Sequence, residues 1–142
     1  RMFLSMMASS YCEEEVESSN GTKETRIVLR LPEVLAPVKL AVLPLMKKDG
    51  LPELAREIMN SLKFEFNCQY DEKDAIGKRY RRNDAIGTPF CVTVDHQSLE
   101  DKTVTIRYRD TMKQERVAIA DLKGIIGDRV SMKELFKKLI AE

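Results

Sequence analysis

Between Lys73 and Arg116 the chain carries ten lysines and arginines against seven aspartates and glutamates, a local charge of +3 in a chain whose net charge is +1. Five of the ten, Lys73, Lys78, Arg79, Arg81 and Arg82, are crowded into one short stretch, with Tyr80 set among the arginines. Arginine pairs with phosphate and stacks on bases, and an aromatic ring stacks as well, so this mixture suits single-stranded RNA. Further along, Thr93 with Asp95, and Arg107 with Arg109, share a side on each of two strand-like segments. Acceptors and donors so placed can address base edges, which phosphate clamps alone cannot do. The same charges also fit a solvated helix face with i,i+4 ion pairs, and the pattern by itself leaves both readings open.

Other chemistries find little support. The three cysteines, Cys12, Cys68 and Cys91, are widely spaced and the single histidine is His96, so no zinc-ligand spacing exists. They are expected to be reduced thiols of a cytoplasmic protein. No glycine-rich phosphate loop is present, Gly124 and Gly127 reading as ordinary helix-end caps. The carboxylates are spread over surfaces rather than paired. This stretch of chain is not expected to form a complete enzyme, and neither a cofactor nor a metal is expected in it.

With 142 residues, 43% of them hydrophobic and 33% charged, the chain fits one globular domain plus a tail and not a disordered segment. Near-neutral net charge excludes a uniformly basic nucleic-acid coat. No apolar run approaches the roughly 20 residues of a membrane span, and the opening RMFLSMMASSYC lacks the layout of a secretory signal.

The elements that must position the basic segment can be read from periodicity. Phe3, Met6, Met7 and Tyr11 lie near helical spacing. Glu13, Glu14, Glu15 and Glu17 followed by Ser18-Ser19-Asn20-Gly21 read as a wet linker or turn, and the main domain is expected to start near residue 32. Residues 37–45 are almost continuously apolar, as in a strand covered on both faces. A helix from about Pro52 carries the stripe Leu51, Leu54, Ala55, Ile58, Met59 and Leu62, and Phe64–Tyr70 reads as a second strand completing a βαβ unit. Residues 74–87 form a short helix ended by Gly87. Three strands follow, over 90–95, 103–109 and 114–119, joined by a loop at 97–102 and a turn at 110–113, and are expected to form an antiparallel meander. Of two closing helices, the last opens with a capping box at Ser131 and Glu134 and buries Met132, Leu135, Phe136, Leu139 and Ile140. The fold class is α/β, a mixed five-stranded sheet flanked by three to four helices. Residues 35–142 hold every stripe one core needs, so removal of residues 1–20 is expected to cost under ~2 kcal/mol.

The run Ile76-Gly-Lys-Arg-Tyr-Arg-Arg-Asn-Asp-Ala-Ile-Gly-Thr-Pro-Phe-Cys-Val-Thr-Val-Asp95 resembles the signature of the anticodon-binding domain of the dimeric class II glycyl-tRNA synthetases. Leu35–Leu45, Gly50–Ile58 and Arg107–Gln114 resemble the same domain in the same order, so the likeness covers nearly the whole chain. Ala85 stands where that family often has an acid, and Tyr108 where it often has aspartate. The resemblance implies the class II synthetase anticodon-binding fold over 32–142, with residues 1–31 as the end of a catalytic domain and a linker. It also implies that Arg1 is the last trace of a motif whose arginine contacts ATP. ATP and Mg²⁺ would then serve the parent enzyme, a homodimer that attaches glycine to its tRNA. The anticodon stem-loop of glycine tRNA is the implied partner, with neither DNA nor membrane. Its contacts would fall on Arg79, Arg82, Asp84, Thr93, Asp95, Arg107, Arg109, Asp110 and Gln114. The other reading of the same fold is a non-catalytic module like a polymerase accessory subunit.

Overall fold

The N-terminal stripe forms a helix, α1 (Met2–Ser10), whose Met2, Phe3 and Leu4 stay exposed. The computed structural model describes residues 1–17 and 21–141, so Ser18, Ser19 and Asn20 of the expected turn lie outside the described residues. The acid run is not a linker. It is strand β1 (Tyr11–Glu17), paired antiparallel with β2 (Lys23–Leu29). Alternation explains this: Tyr11, Glu13, Glu15 and Glu17 point outward, while Cys12, Glu14 and Val16 are half-buried. Glu14 is tolerated inside because it lies opposite Arg26 in the ladder and bonds its guanidinium at 2.9 Å.

The continuous apolar run yields β3 (Leu40–Pro44), buried at every position. α2 (Leu51–Leu62) follows, with Pro52 in its first turn and Leu51, Ala55, Ile58 and Leu62 buried. β4 is only Cys68–Tyr70. Phe64 to Phe66 are instead used to end α2, the Glu65 and Phe66 amides donating to the Leu62 carbonyl and leaving Phe64 exposed. Then come α3 (Ile76–Ile86), β5 (Phe90–Val94), α4 (His96–Asp101), β6 (Thr103–Tyr108) and β7 (Gln114–Ala118). A 3-10 turn at Ile119–Asp121 leads to α5 (Leu122–Val130) and α6 (Met132–Ile140).

The five-stranded sheet has the order β4-β3-β5-β6-β7. β4 and β5 flank β3 in parallel, and β5, β6 and β7 form the antiparallel meander. On one face Leu40, Val42, Phe90, Val92, Val94, Val104 and Ile106 meet α2 and α5 in the main core. On the other, Ala41, Leu43 and Cys91 are covered by Ile76 and Tyr80 of α3. Coverage on both sides buries every residue of β5 despite its alternating sequence.

Four local expectations are corrected. Residues 96–101 are helix α4, not loop, because Asp95 caps it: Ser98 N–H donates to Asp95 Oδ1 at 3.0 Å and Asp95 N–H to Ser98 Oγ at 3.1 Å. Ser131 forms no capping box, its hydroxyl donating back to the Asp128 carbonyl at 3.0 Å. The α6 stripe is not buried: Phe136 is 54% and Leu139 61% exposed. Gly124 and Gly127 lie inside α5 rather than at its end.

Candidate nucleic-acid interface

α3 ends at Gly87, whose φ of +83° is open to glycine at no steric cost. This stop aims the chain into β5 and sets the inner face of α3 against the sheet. That face is unusually polar. Arg79 is turned inward, 3% exposed, and donates to the Pro44 carbonyl at 2.6 Å and to the Asp71 and Leu45 carbonyls at 3.3 Å. Carbonyls at the end of a parallel strand need donors, and Arg79 supplies them. Asp84 is fully buried between two arginines, accepting from Arg26 Nε at 2.9 Å and from Arg107 Nη1 and Nη2 at 2.8 and 3.0 Å. Arg109, 2% exposed, donates to the Gly87 carbonyl at 2.8 Å and the Leu31 carbonyl at 2.7 Å. The side chains of Arg79, Asp84, Arg107 and Arg109, all expected among the RNA contacts, are buried and tie α3, the end of β6 and the β1–β2 hairpin together.

Of the remaining expected residues, all but Thr93 lie closer to solvent. Arg82 is 43% exposed and bridges Asp71 at 2.5 Å and Asp74 at 2.6 Å. Asp110, at the turn after β6, bonds Arg109 at 2.8 and 3.1 Å. Burial acts to raise the Asp110 carboxyl, but Arg109 and the charges of Arg30 and Arg129 hold it below its usual range. Gln114 is exposed. Thr93, 6% exposed, shares a 2.6 Å hydrogen bond with the Tyr80 hydroxyl. Asp95 pairs with Arg116 at 2.7 and 2.9 Å, which with the Ser98 bonds holds its carboxyl down to about 2.

The register, with Cys91 opposite Arg107 and Thr93 opposite Thr105, puts Thr93 and Arg107 on the same face of the sheet as α3. Two clefts open there, and Tyr80 lines both. One, of about 260 Å³, holds Ile76, Tyr80, Thr93, Asp95, Thr105 and Gln114. The other, of about 530 Å³, runs between Tyr80, Arg81, Arg107 and the hairpin residues Val16 and Glu17. Arg107 lies 4.7 Å above the centre of the Tyr80 ring. Lys73, Lys78 and Arg81 stand exposed around this region, Arg81 paired with Glu24. An aromatic wall, a carboxylate acceptor, hydroxyls and an amide inside a basic rim form a surface that can take an unstacked base and its phosphates.

Tyr80, read from sequence as part of the basic mixture but not named as a contact, lines both clefts, and Thr105 and Arg116 were not expected beside it. Tyr80 stood in plain view among the arginines. Arg116 becomes legible only through the strand register that sets it opposite Thr105, within reach of Asp95. Burial pushes the Cys91 thiol up to about 12 and the Cys68 thiol up to about 11, and His96 is exposed, 3.9 Å from Asp49. Arg1 is exposed at the start of α1. Among the described residues no three His, Cys, Asp or Glu groups could hold a metal, and no helix is long and apolar enough to cross a membrane.

This α/β layering, with a mixed sheet between α3 and the α2–α5 pair, is a fold shared with parts of two aminoacyl-tRNA synthetases of known structure. Prolyl-tRNA synthetase from Cryptosporidium parvum, solved with L-proline and AMP, superposes with a TM-score of 0.66 at 20% identity, over 82% of this chain and 31% of that one. The RNA binding domain of threonyl-tRNA synthetase from Cryptosporidium parvum Iowa II gives 0.64 at 24% identity, over 70% of this chain and 25% of that one. Residues 39–129 match the family described as the anticodon binding domain, and the chain belongs to that family. In sequence it is 52% identical to the glycine–tRNA ligase of Rhodopirellula baltica over 92% of its length and 24% of the relative's. It is 54% identical to that of Treponema denticola over 86% of its length and 27% of the relative's. The chain thus spans about a quarter of the length of these curated relatives.

Proposed function

We propose that the chain is the anticodon-recognising part of a glycine–tRNA ligase, gripping the anticodon stem-loop of glycine tRNA on the α3 side of its sheet. Identity above one half to glycine–tRNA ligases across most of the chain is the observation that carries this reading. The exposed cations Lys73, Lys78 and Arg82 would hold phosphates, a sequence-independent grip. Asp95, Asp110 and Gln114, at strand ends and the β6–β7 turn, would address base edges. A cytosine presents an exocyclic amine that needs an acceptor, and a carboxylate held ionised provides one. Tyr80 and Arg107 would stack, Asp84 holding the guanidinium in place over the ring. Arg79 and Arg109 would act through the backbone they fasten.

The remainder of the ligase would supply glycine activation with ATP and Mg²⁺, dimerisation and a cytoplasmic setting, with residues 1–31 as its trailing edge. Arg1 by itself does not make an ATP site, and the described residues offer no metal-ligand group, so no step through either is assigned to this chain. It is not expected to form glycyl-adenylate or charge tRNA. An accessory module of the same fold, the other reading open from sequence, has no support among these relatives. Filter binding of glycine tRNA against an unrelated tRNA tests the proposal. Preferential retention of glycine tRNA is expected, and equal retention would overturn it.

A further inference from the structure

Where the β1–β2 hairpin meets α3, it sets acidic side chains against the basic helix. Strand alternation leaves Glu14 and Val16 of β1 and Glu24 and Arg26 of β2 on the more buried side. Val16 lies opposite Glu24 in the ladder, and Val16 and Glu17 form the hairpin wall of the larger cleft. Three arginines line that cleft, Arg26, Arg81 and Arg107, and they are held unequally. Arg26 and Arg107 are buried on the fully buried Asp84. Arg81 has one ion-pair partner among the described residues, Glu24, and the two side chains remain 45% and 38% exposed. Breaking a buried pair leaves an uncompensated charge, whereas a solvent-exposed pair contributes little. Arg81 is therefore the arginine of this cleft that can change partner.

We infer that Arg81 is a further contact for RNA phosphate and that Glu24 occupies it in the free chain, giving it up when RNA binds. The inference rests on the reading of the α3 face as the RNA surface. A carboxylate and a phosphate offer a guanidinium the same kind of charge-assisted hydrogen bond, so one can take the place of the other. The exchange breaks one ion pair for the phosphate contact it makes. Arg81 thus adds less to the sequence-independent grip than an unpaired cation would, and Glu24 sets how much. The hairpin in this way limits the binding of RNA that offers the cleft its backbone alone.

The probes are oligouridylate and the glycine anticodon stem-loop, each titrated into the 142-residue chain at low and at high salt. Glu24→Gln should tighten both RNAs at least threefold at low salt, and the gain should shrink as salt rises. The same substitution made in an Arg81→Gln chain should give no gain. That coupling separates exchange at one arginine from the removal of a negative charge anywhere on the surface. Should Glu24→Gln melt early, the intact chain decides: the Glu24 carboxyl carbon and Arg81 Nε–H signals should both move as oligouridylate is added. Unchanged affinity in Glu24→Gln, an equal gain with and without Arg81, or two signals that stay in place at saturating RNA would overturn the inference. Oligouridylate carries no anticodon, so equal retention of glycine tRNA and an unrelated tRNA would sink the anticodon reading and leave this exchange standing. Failure of the intact chain to bind either probe would overturn both.

Discussion

Arg107 and Asp84 meet with the two terminal guanidinium nitrogens each on one carboxylate oxygen, at 2.8 and 3.0 Å, and Asp84 is wholly shut off from solvent. A bidentate pair of this kind fixes orientation as well as charge. Here it joins α3 to β6, and the same carboxylate reaches Arg26 of β2.

Asp84→Asn keeps the shape and removes the charge, leaving two buried guanidinium groups facing a neutral amide. Loss of a buried partner costs about 3–5 kcal/mol. Urea unfolding of the variant should show a loss of that order, and a midpoint equal to the parent's would mean that the cluster is not a stabilising feature.

Removing residues 1–20 deletes β1, takes the ladder partner from β2 and strips Glu14 from Arg26 and Arg30. With the hairpin packed on α3 and Arg26 left short of an acceptor, the expected cost rises to about 2–4 kcal/mol. This replaces the smaller loss expected from sequence. A truncated chain that melts like the intact one would show the hairpin to be a passive appendage.

Gly87→Ala places a side chain at a φ of +83°, with its Cβ 3.1 Å from both the Leu29 carbonyl oxygen and Leu31 Cδ1. The left-handed backbone alone costs about 1–2 kcal/mol for an L-residue, and the contacts add to it. Thermal denaturation should register the loss. An unchanged melting temperature would show that the α3 cap has room the geometry denies.

Asp95 is held down to about 2, first by its hydrogen bond from Arg116. An unfolded aspartate titrates near 3.9. The folded value is the lower one, so the pair contributes stability above about pH 4 and loses it as pH falls toward 2. Arg116→Gln should therefore lower stability at neutral pH, with the gap to the parent closing between pH 4 and 2. A gap independent of pH would assign the effect to packing rather than charge.

Much of the fold was written in simple periodicity. The apolar run of β3, the α2 stripe and the Gly87 stop read directly because each obeys one local rule, and the meander followed from short connections. The hairpin did not, since the inward Glu14 looks like its outward neighbours until Arg26 is set opposite. α6 misled in the other direction: its stripe from Met132 to Ile140 is real, but periodicity tells which residues share a face, not whether anything covers it. For the candidate site the type of surface was legible and its members were only partly so. Charge marks Arg79, Asp84, Arg107 and Arg109 as polar, but which polar groups turn inward depends on carbonyls and partners supplied by distant elements. Arg116 is the converse case, entering the site only by strand register.

Base-specific recognition of the glycine anticodon is proposed for the α3 side of the sheet. Its most direct measurement is titration of the glycine anticodon stem-loop, and of one with its anticodon cytosines replaced, at two salt concentrations, with the intact chain and with Arg82→Ala and Asp110→Ala. The intact chain should prefer the cognate loop. Arg82→Ala should weaken both loops alike and flatten the salt dependence. Asp110→Ala should cost roughly 1–3 kcal/mol on the cognate loop and much less on the altered one. Equal affinity of the intact chain for both loops, or equal losses for both with every variant, would leave an electrostatic patch and contradict base readout.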